Sequence, residues 1–328
     1  MFAARGLAIS CSVFAIVYCA LSLAVSLGWR AMWSRSQGRP VRRVADWLFG
    51  LRMVPLVTAG VITAMFTVPS FLLLEPRAID EPLGGIPLVL GICGAGLGIL
   101  GAVNAGLALR RASRTVARWT SVAQPVECGA SFPVLRISET IPAKAAAKIP
   151  AMTAAGIVRP KVFLSDAAES MLTANELRTA LNHEVAHVHR RDNLKKLLLR
   201  FVAFPGMSGL EAAWLEATEM AADDAAVANV SEALDLAAAL IKLSRLGPVE
   251  PSVDLTAALV HSPVAVMNAR IERLIAWSED RLISPRRFAR RYRLGCGLCA
   301  ALATVAVFCV TYSQLLVRVH TATEWLVR

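Results

Sequence analysis

Two imidazoles four residues apart on a helix, with a carboxylate beside the first, can hold a divalent cation and move a proton to or from a water on it. The chain carries this pattern at His183-Glu184-Val185-Ala186-His187, inside the run LTANELRTALNHEVAHVHRRDNLKKLLLRF. Thr173 and Glu176 have the capping-box spacing that starts a helix, and no Pro or Gly interrupts the run. Residues four apart share a helix face, so His183 and His187 can point at one cation. Glu184 is offset to the side, within reach of a water but not placed as a ligand. Two His ligands with a Glu general base form the arrangement of zinc proteases. The chain has five His, and three of them (His183, His187 and His189) fall in this segment, which argues against an accidental pair.

A site of this kind takes a third protein ligand and leaves its fourth position open. Downstream, Ala217 to Ala225 (ATEMAADDA) reads as a second, Ala-rich helix with Glu219 and Asp223 on one face. Glu219 can complete the ligand set. Asp223 can then accept a hydrogen bond from the free ring nitrogen of a ligand His and fix its tautomer. Without the histidine motif the same pair would read as a solvated acidic face.

The run RPKVFLSDAAESMLTANELRTALNHEVAHVHRRDN, followed by EMAADDAAV, resembles the BlaR/MecR-type bacterial membrane metallopeptidases of the gluzincin clan, from roughly Val158 to Val227. By that resemblance His183, His187 and Glu219 bind one zinc ion per chain, Glu184 is the base, and Asp223 stands behind the ligands. The stretch His261-Ser262-Pro263, then Arg270-Ile271-Glu272-Arg273-Leu274, is more weakly similar to the related HtpX and CAAX-protease group. Gluzincins place a His, Tyr or Arg against the oxyanion, so His261 or Arg270 takes that part here. The implied reaction is peptide hydrolysis, with Glu184 passing the proton of the attacking water to the leaving amine. The implied substrate is a cytosolic protein, either a transcriptional repressor or the protease itself. Two other functions stay open: an HtpX-like housekeeping protease, and a non-catalytic membrane receptor scaffold. An intact base argues against the scaffold.

Composition sets the surroundings of this site. The chain has 328 residues, 56% of them hydrophobic, and a net charge of +11; its mean hydropathy is +0.54. That is too apolar for an ordinary soluble protein. The expected fold is a mainly α membrane protein: four transmembrane helices with an inserted α+β zincin-like metallopeptidase domain. Residues 1–118 form a membrane region with spans at about 7–29, 53–74 and 84–109. Residues 119–293 form the peptidase domain, 294–317 the fourth span and 318–328 a short tail. The first run exceeds the apolar core of a signal peptide, about 7–15 residues, and matches the length of about 20 that a span needs.

The basic residues cluster beside the apolar runs. Arg30, Arg35, Arg39, Arg42, Arg43 and Arg52 follow the first run and only Arg5 precedes it; Arg110, Arg111, Arg114 and Arg118 follow the third; Arg286 to Arg293 precede the fourth. The positive-inside rule then places the peptidase domain in the cytosol and both termini outside, and the resemblance to the BlaR/MecR group implies a bacterial inner membrane. No nucleic-acid-binding signature is found. Six of seven Cys lie in apolar runs, and Cys128 stands alone in the polar part, so neither a disulfide framework nor a Cys-based zinc site is expected.

Within the peptidase domain, Val134 to Ile137 and Val158 to Leu164 read as strands. Pro160 marks the second as an edge, where a substrate can add as a further strand. Ile141 to Ala155 reads as a loop, and Glu232 to Leu246 and Pro263 to Trp277 as helices. No folded extracellular sensor is expected in the tail from Arg318, so a trigger would come through the membrane helices, from a membrane partner or a self-dimer. Gly94-x-x-x-Gly98 on the third span is the expected contact.

Overall fold

The computed structural model describes residues 2–34, 40–76, 84–126, 132–138, 150–201, 204–246, 256–258, 264–280, 312 and 314–325. The chain divides into two compact units: Met1–Gly28 with Met53–Leu100 and Ser284–Arg328, and Trp29–Arg52 with Gly101–Ile283.

Long apolar helices run through the first unit. Helix α1 spans Phe2–Ser34, α2 spans Val41–Ile62, a π-helical turn occupies Thr63–Thr67, α3 spans Val68–Leu74 and α4 spans Gly85–Val122. Three stretches, Phe2–Trp33, Val41–Leu74 and Gly85–Val122, are long and apolar enough to cross a membrane. Leu7, Leu27, Leu73, Ile86 and Ile99 lie outward on them, a surface that suits lipid rather than water. Pro69 has no amide to give the Met65 carbonyl, and its ring crowds that carbonyl. The π turn widens the helix there, and the Tyr312 hydroxyl donates to Met65 O at 2.6 Å. Gly94 lies against α1: a Cβ there would meet the Cys11 carbonyl, whereas one on Gly98 would meet nothing. The close approach expected of this glycine pair is therefore made by Gly94 alone, inside the chain. The expected fourth span lies outside the described residues up to 311; residues 314–325 are helical.

The second unit holds a five-stranded sheet. Its strands are β1 (Ala123–Val126), β2 (Val134–Ile137), β3 (Met152–Ala155), β4 (Lys161–Ser165) and β5 (Thr256–Ala258), in the order β1-β2-β4-β3-β5. Only β2 and β4 run parallel. Two expectations are corrected. The strand after Pro160 is interior, because Pro160 precedes its first residue and costs it no ladder bond. The end of the expected loop, Met152 to Ala155, is strand β3. Its four residues are all buried, so they lack the in-out alternation that marks a strand in sequence.

Period-two geometry divides the sheet's side chains between two cores. Val162 and Leu164 join Met152, Ala154 and the helices on one face. Phe163 joins Ile137, Ala155 and Trp119 on the other, with the Trp119 and Phe163 rings 5.3 Å apart. The first face carries α5 (Asp166–Met171), α6 (Ala174–Arg190), α8 (Ser208–Ala226), α9 (Val230–Ser244) and α10 (Val264–Asp280); α7 (Asp192–Phe201) follows α6.

The expected capping box starts α6. Thr173 Oγ1 accepts from the Glu176 amide at 3.3 Å, and Glu176 Oε2 accepts from the Thr173 amide at 2.8 Å. The run does not continue as one helix, however. Arg191 adopts φ 54°, in the left-handed region, and separates α6 from α7. It is the only non-glycine with positive φ among the described residues, and that conformation is unfavourable for a residue with a Cβ.

Candidate metal centre

Helix α6 turns His183 and His187 to the same side, where both are buried. Their Nε2 atoms lie 3.1 Å apart. Glu219, one helix away on α8, brings Oε1 to 3.5 Å from His187 Nε2 and Oε2 to 3.6 Å from His183 Nε2. These three residues form a buried group able to hold a metal ion.

The donor set fits a cation on two counts. The first is spacing: two bonds of about 2.1 Å at a tetrahedral angle separate their ligand atoms by roughly 3.4 Å. The second is proton placement. His187 Nδ1 meets Asp192 Oδ2 at 2.8 Å. His183 Nδ1 lies 2.9 Å from Asp223 Oδ1, off the straight line of a ring N–H bond. A carboxylate beside Nδ1 holds the ring proton there, so both Nε2 lone pairs face each other and the Glu219 carboxylate. Three buried acceptors converging without a donor repel one another, and a cation or a shared proton resolves that. Burial alone would lower the His183 imidazole, but Asp223 and Glu219 outweigh it and push the group up to about 9. Burial likewise raises Glu219, but His187, Arg270 and His183 outweigh it and hold the carboxyl at about 2.

Arg270 on α10 closes the set from behind. Its Nε and Nη2 donate to Asp223 at 2.8 and 2.7 Å, and Nη1 lies 3.1 Å from Glu219 Oε2. Against the burial penalty, this guanidinium and His183 keep the Asp223 carboxyl well below the usual carboxylate range. The bidentate pair orients Asp223 toward His183 and Glu219 toward both rings.

Glu184 is fully buried beside the histidines. Its Oε2 accepts from the Ala154 amide of β3 at 2.7 Å, and its Oε1 has no partner among the described residues. Burial pushes this carboxyl up despite the pull of His183 and His187. One oxygen is thus anchored and the other is free, in an environment that favours taking up a proton.

The structure brings together His183, Glu184, His187, Glu219 and Asp223, all named from sequence. It places Arg270 with them, but with its nitrogens on Asp223 and Glu219. The other expected candidate for the oxyanion, His261, lies outside the described residues. Sequence reasoning missed Asp192, which becomes a neighbour of His187 only through the break at Arg191. It also missed Asn193, whose Nδ2 donates to the carbonyls of Ala154 and Gly156 at 3.1 and 3.3 Å and so ties β3 to the site.

Residues 142–267 match the model of Peptidase family M48.

The matched segment contains every residue of the site except Arg270, and it supports a zincin-type metallopeptidase. Together with the three apolar helices it supports a helical membrane protein carrying a peptidase domain. No curated protein matches the chain.

Proposed function

We propose that this chain is a membrane-bound zinc endopeptidase in which His183, His187 and Glu219 hold the metal and Glu184 is the general base. The observation that carries the reading is the convergence of two Nε2 atoms and one carboxylate, with the free Glu184 oxygen alongside. Zinc bound there would polarise the scissile carbonyl and acidify a water. The chain's own residues do the rest. Asp192 and Asp223 hold the ring protons on Nδ1. Arg270 holds Asp223 and Glu219 in place, so in this reading it is a positioning residue and not an oxyanion donor. Glu184 keeps Oε2 on the Ala154 amide, takes the proton of the attacking water on Oε1, and returns it to the leaving amine. A non-catalytic scaffold has no use for a buried carboxylate poised in this way.

The substrate we propose is a cytosolic protein, a transcriptional repressor or the chain itself. Its support is the resemblance of Val158 to Val227 to the BlaR/MecR group. The orientation we propose has the peptidase domain in the cytosol, and its support is the distribution of arginines beside the apolar helices. Mapping of newly formed protein termini in cells carrying the wild type or Glu184→Ala tests the substrate. A repressor fragment that depends on Glu184 is expected. Scattered fragments of many damaged proteins would favour a housekeeping protease instead. Cysteine labelling tests the orientation: sites near Gln37, Ala167 and Ser278 should be cytosolic and those near Asp80 and Thr323 external, and a cytosolic Asp80 would reverse it.

A further inference from the structure

Helix α2 begins at Val41, twelve positions before the apolar run expected to span the membrane, and its first half belongs to the same unit as the metal centre. Asp46, Phe49 and Arg52 recur every three residues along this half and share a face. Each meets the machinery that carries the metal ligands. Arg52, 1% exposed, pairs its Nε with Glu211 Oε1 of α8 at 3.0 Å. The Phe49 ring lies 5.9 Å from Trp214, also on α8, five residues before Glu219. Its face receives Lys195 Nζ at 5.7 Å.

Asp46 reaches the other metal-bearing element. Its Oδ1 lies 3.4 Å from Lys195 Nζ and 3.6 Å from Arg190 Nη2. Those two cations converge on Asp192: Lys195 Nζ on Oδ1 and Arg190 Nε on Oδ2, both at 3.5 Å. Asp192 Oδ2 in turn contacts His187 Nδ1. A chain of alternating charges therefore runs from α2 to a histidine of the metal centre, and its inner end is buried where Coulomb interactions are least screened. Asp46 itself is about half exposed, at 54%, so its share of the coupling is small. Lys195, 18% exposed and in contact with both carboxylates, transmits more.

We propose that Asp46 is a positioning residue of the metal centre, acting through Lys195 and Arg190 on Asp192 and so on His187. The proposal rests on the reading of His187 as a metal ligand.

The test uses the full chain in detergent micelles, loaded with cobalt(II), whose visible absorption reports ligand geometry. Asp46→Ala and Asp46→Asn should release cobalt to a chelator about threefold faster than wild type and shift the visible band. Lys195→Met should do so about tenfold, and Asp46→Glu should restore the wild-type rate and spectrum. Thermal melting of each variant separates this from general loosening: Asp46→Ala should melt at the wild-type temperature. His187→Ala should take up no cobalt. Wild-type release and spectra in both Asp46→Ala and Lys195→Met, with His187→Ala empty, would overturn the positioning role alone. Cobalt held by His187→Ala with an unchanged spectrum would overturn the ligand reading and the positioning role with it.

Discussion

His187 and Asp192 meet at 2.8 Å across a break in the helix, although they are five residues apart. On a continuous helix, residue i+5 points about 140° away from residue i. The left-handed Arg191 turns the chain back and brings the carboxylate onto the ring. Backbone strain at one residue thus places a carboxylate against a ring nitrogen of the candidate metal centre. Asp192→Ala should lower zinc affinity by about 10- to 100-fold in competition with a chromophoric chelator. Wild-type affinity would show that the contact does nothing for the metal.

The conformation of Arg191 can be tested separately. Glycine adopts φ 54° without penalty, whereas a β-branched residue there is strained. Arg191→Gly should keep zinc and change the unfolding free energy by about 1 kcal/mol or less. Arg191→Ile should lower both stability and zinc affinity. Equal behaviour of the two variants in urea titrations would mean that the turn does not persist in solution.

Arg270 and Asp223 form a fully buried pair. Removing Asp223 leaves the buried Arg270 with only Glu219 opposite it at 3.1 Å, and breaking a buried pair costs up to about 3–5 kcal/mol. Asp223→Ala should therefore lower the melting temperature sharply as well as weaken zinc binding. Loss of zinc with no loss of stability in the metal-free protein would confine Asp223 to the metal.

Metal uptake should depend on pH in a definite direction. The metal-free His183 imidazole is pushed up to about 9, so a proton occupies the site below that pH and the cation must displace it. Apparent zinc affinity should fall as pH drops below about 9. Calorimetry in buffers of different ionisation enthalpy should show proton release on binding at pH 7. Binding without proton release would contradict a raised His183 imidazole in the metal-free protein.

At the start of α6 the capping box is shared with a lysine. Glu176 Oε2 accepts from Lys242 Nζ at 2.7 Å as well as from the Thr173 amide. Burial raises this carboxyl, but these partners together bring it below its ordinary value. Its contribution to stability is therefore full above the unfolded value of about 4.3 and disappears as pH falls through the lower folded value. Lys242→Ala should reduce stability at pH 7 and flatten its dependence on pH between about 5 and 3. An unchanged acid transition would remove Glu176 as a contributor.

The grouping of His183 with His187 and of Glu219 with Asp223 was legible in the sequence because helical spacing alone puts each pair on one face. The capping box was legible for the same reason, being a contact between residues three apart. What stayed hidden depends on long-range packing or on one unusual dihedral angle. Strand β3 is buried on both sides and too short to alternate. β4 lies inside the sheet because β3 covers it, which the Pro160 signal could not reveal. The partnership of Asp192 with His187 needs a positive φ at an arginine, where sequence leads one to expect glycine or asparagine. The turn of Arg270 toward Asp223 required knowing how α10 packs against α8.

The central claim is that Glu184 moves the proton while His183, His187 and Glu219 hold the metal. Zinc content and hydrolysis of a fluorogenic peptide, measured on the same preparation of Glu184→Gln, test it most directly. The glutamine carbonyl can still accept from the Ala154 amide, so the fold and the metal should survive. The predicted result is about one zinc per chain, as in the wild type, with turnover reduced by roughly 100- to 10,000-fold. Wild-type turnover by Glu184→Gln, or peptide hydrolysis by wild-type protein stripped of zinc, would contradict it.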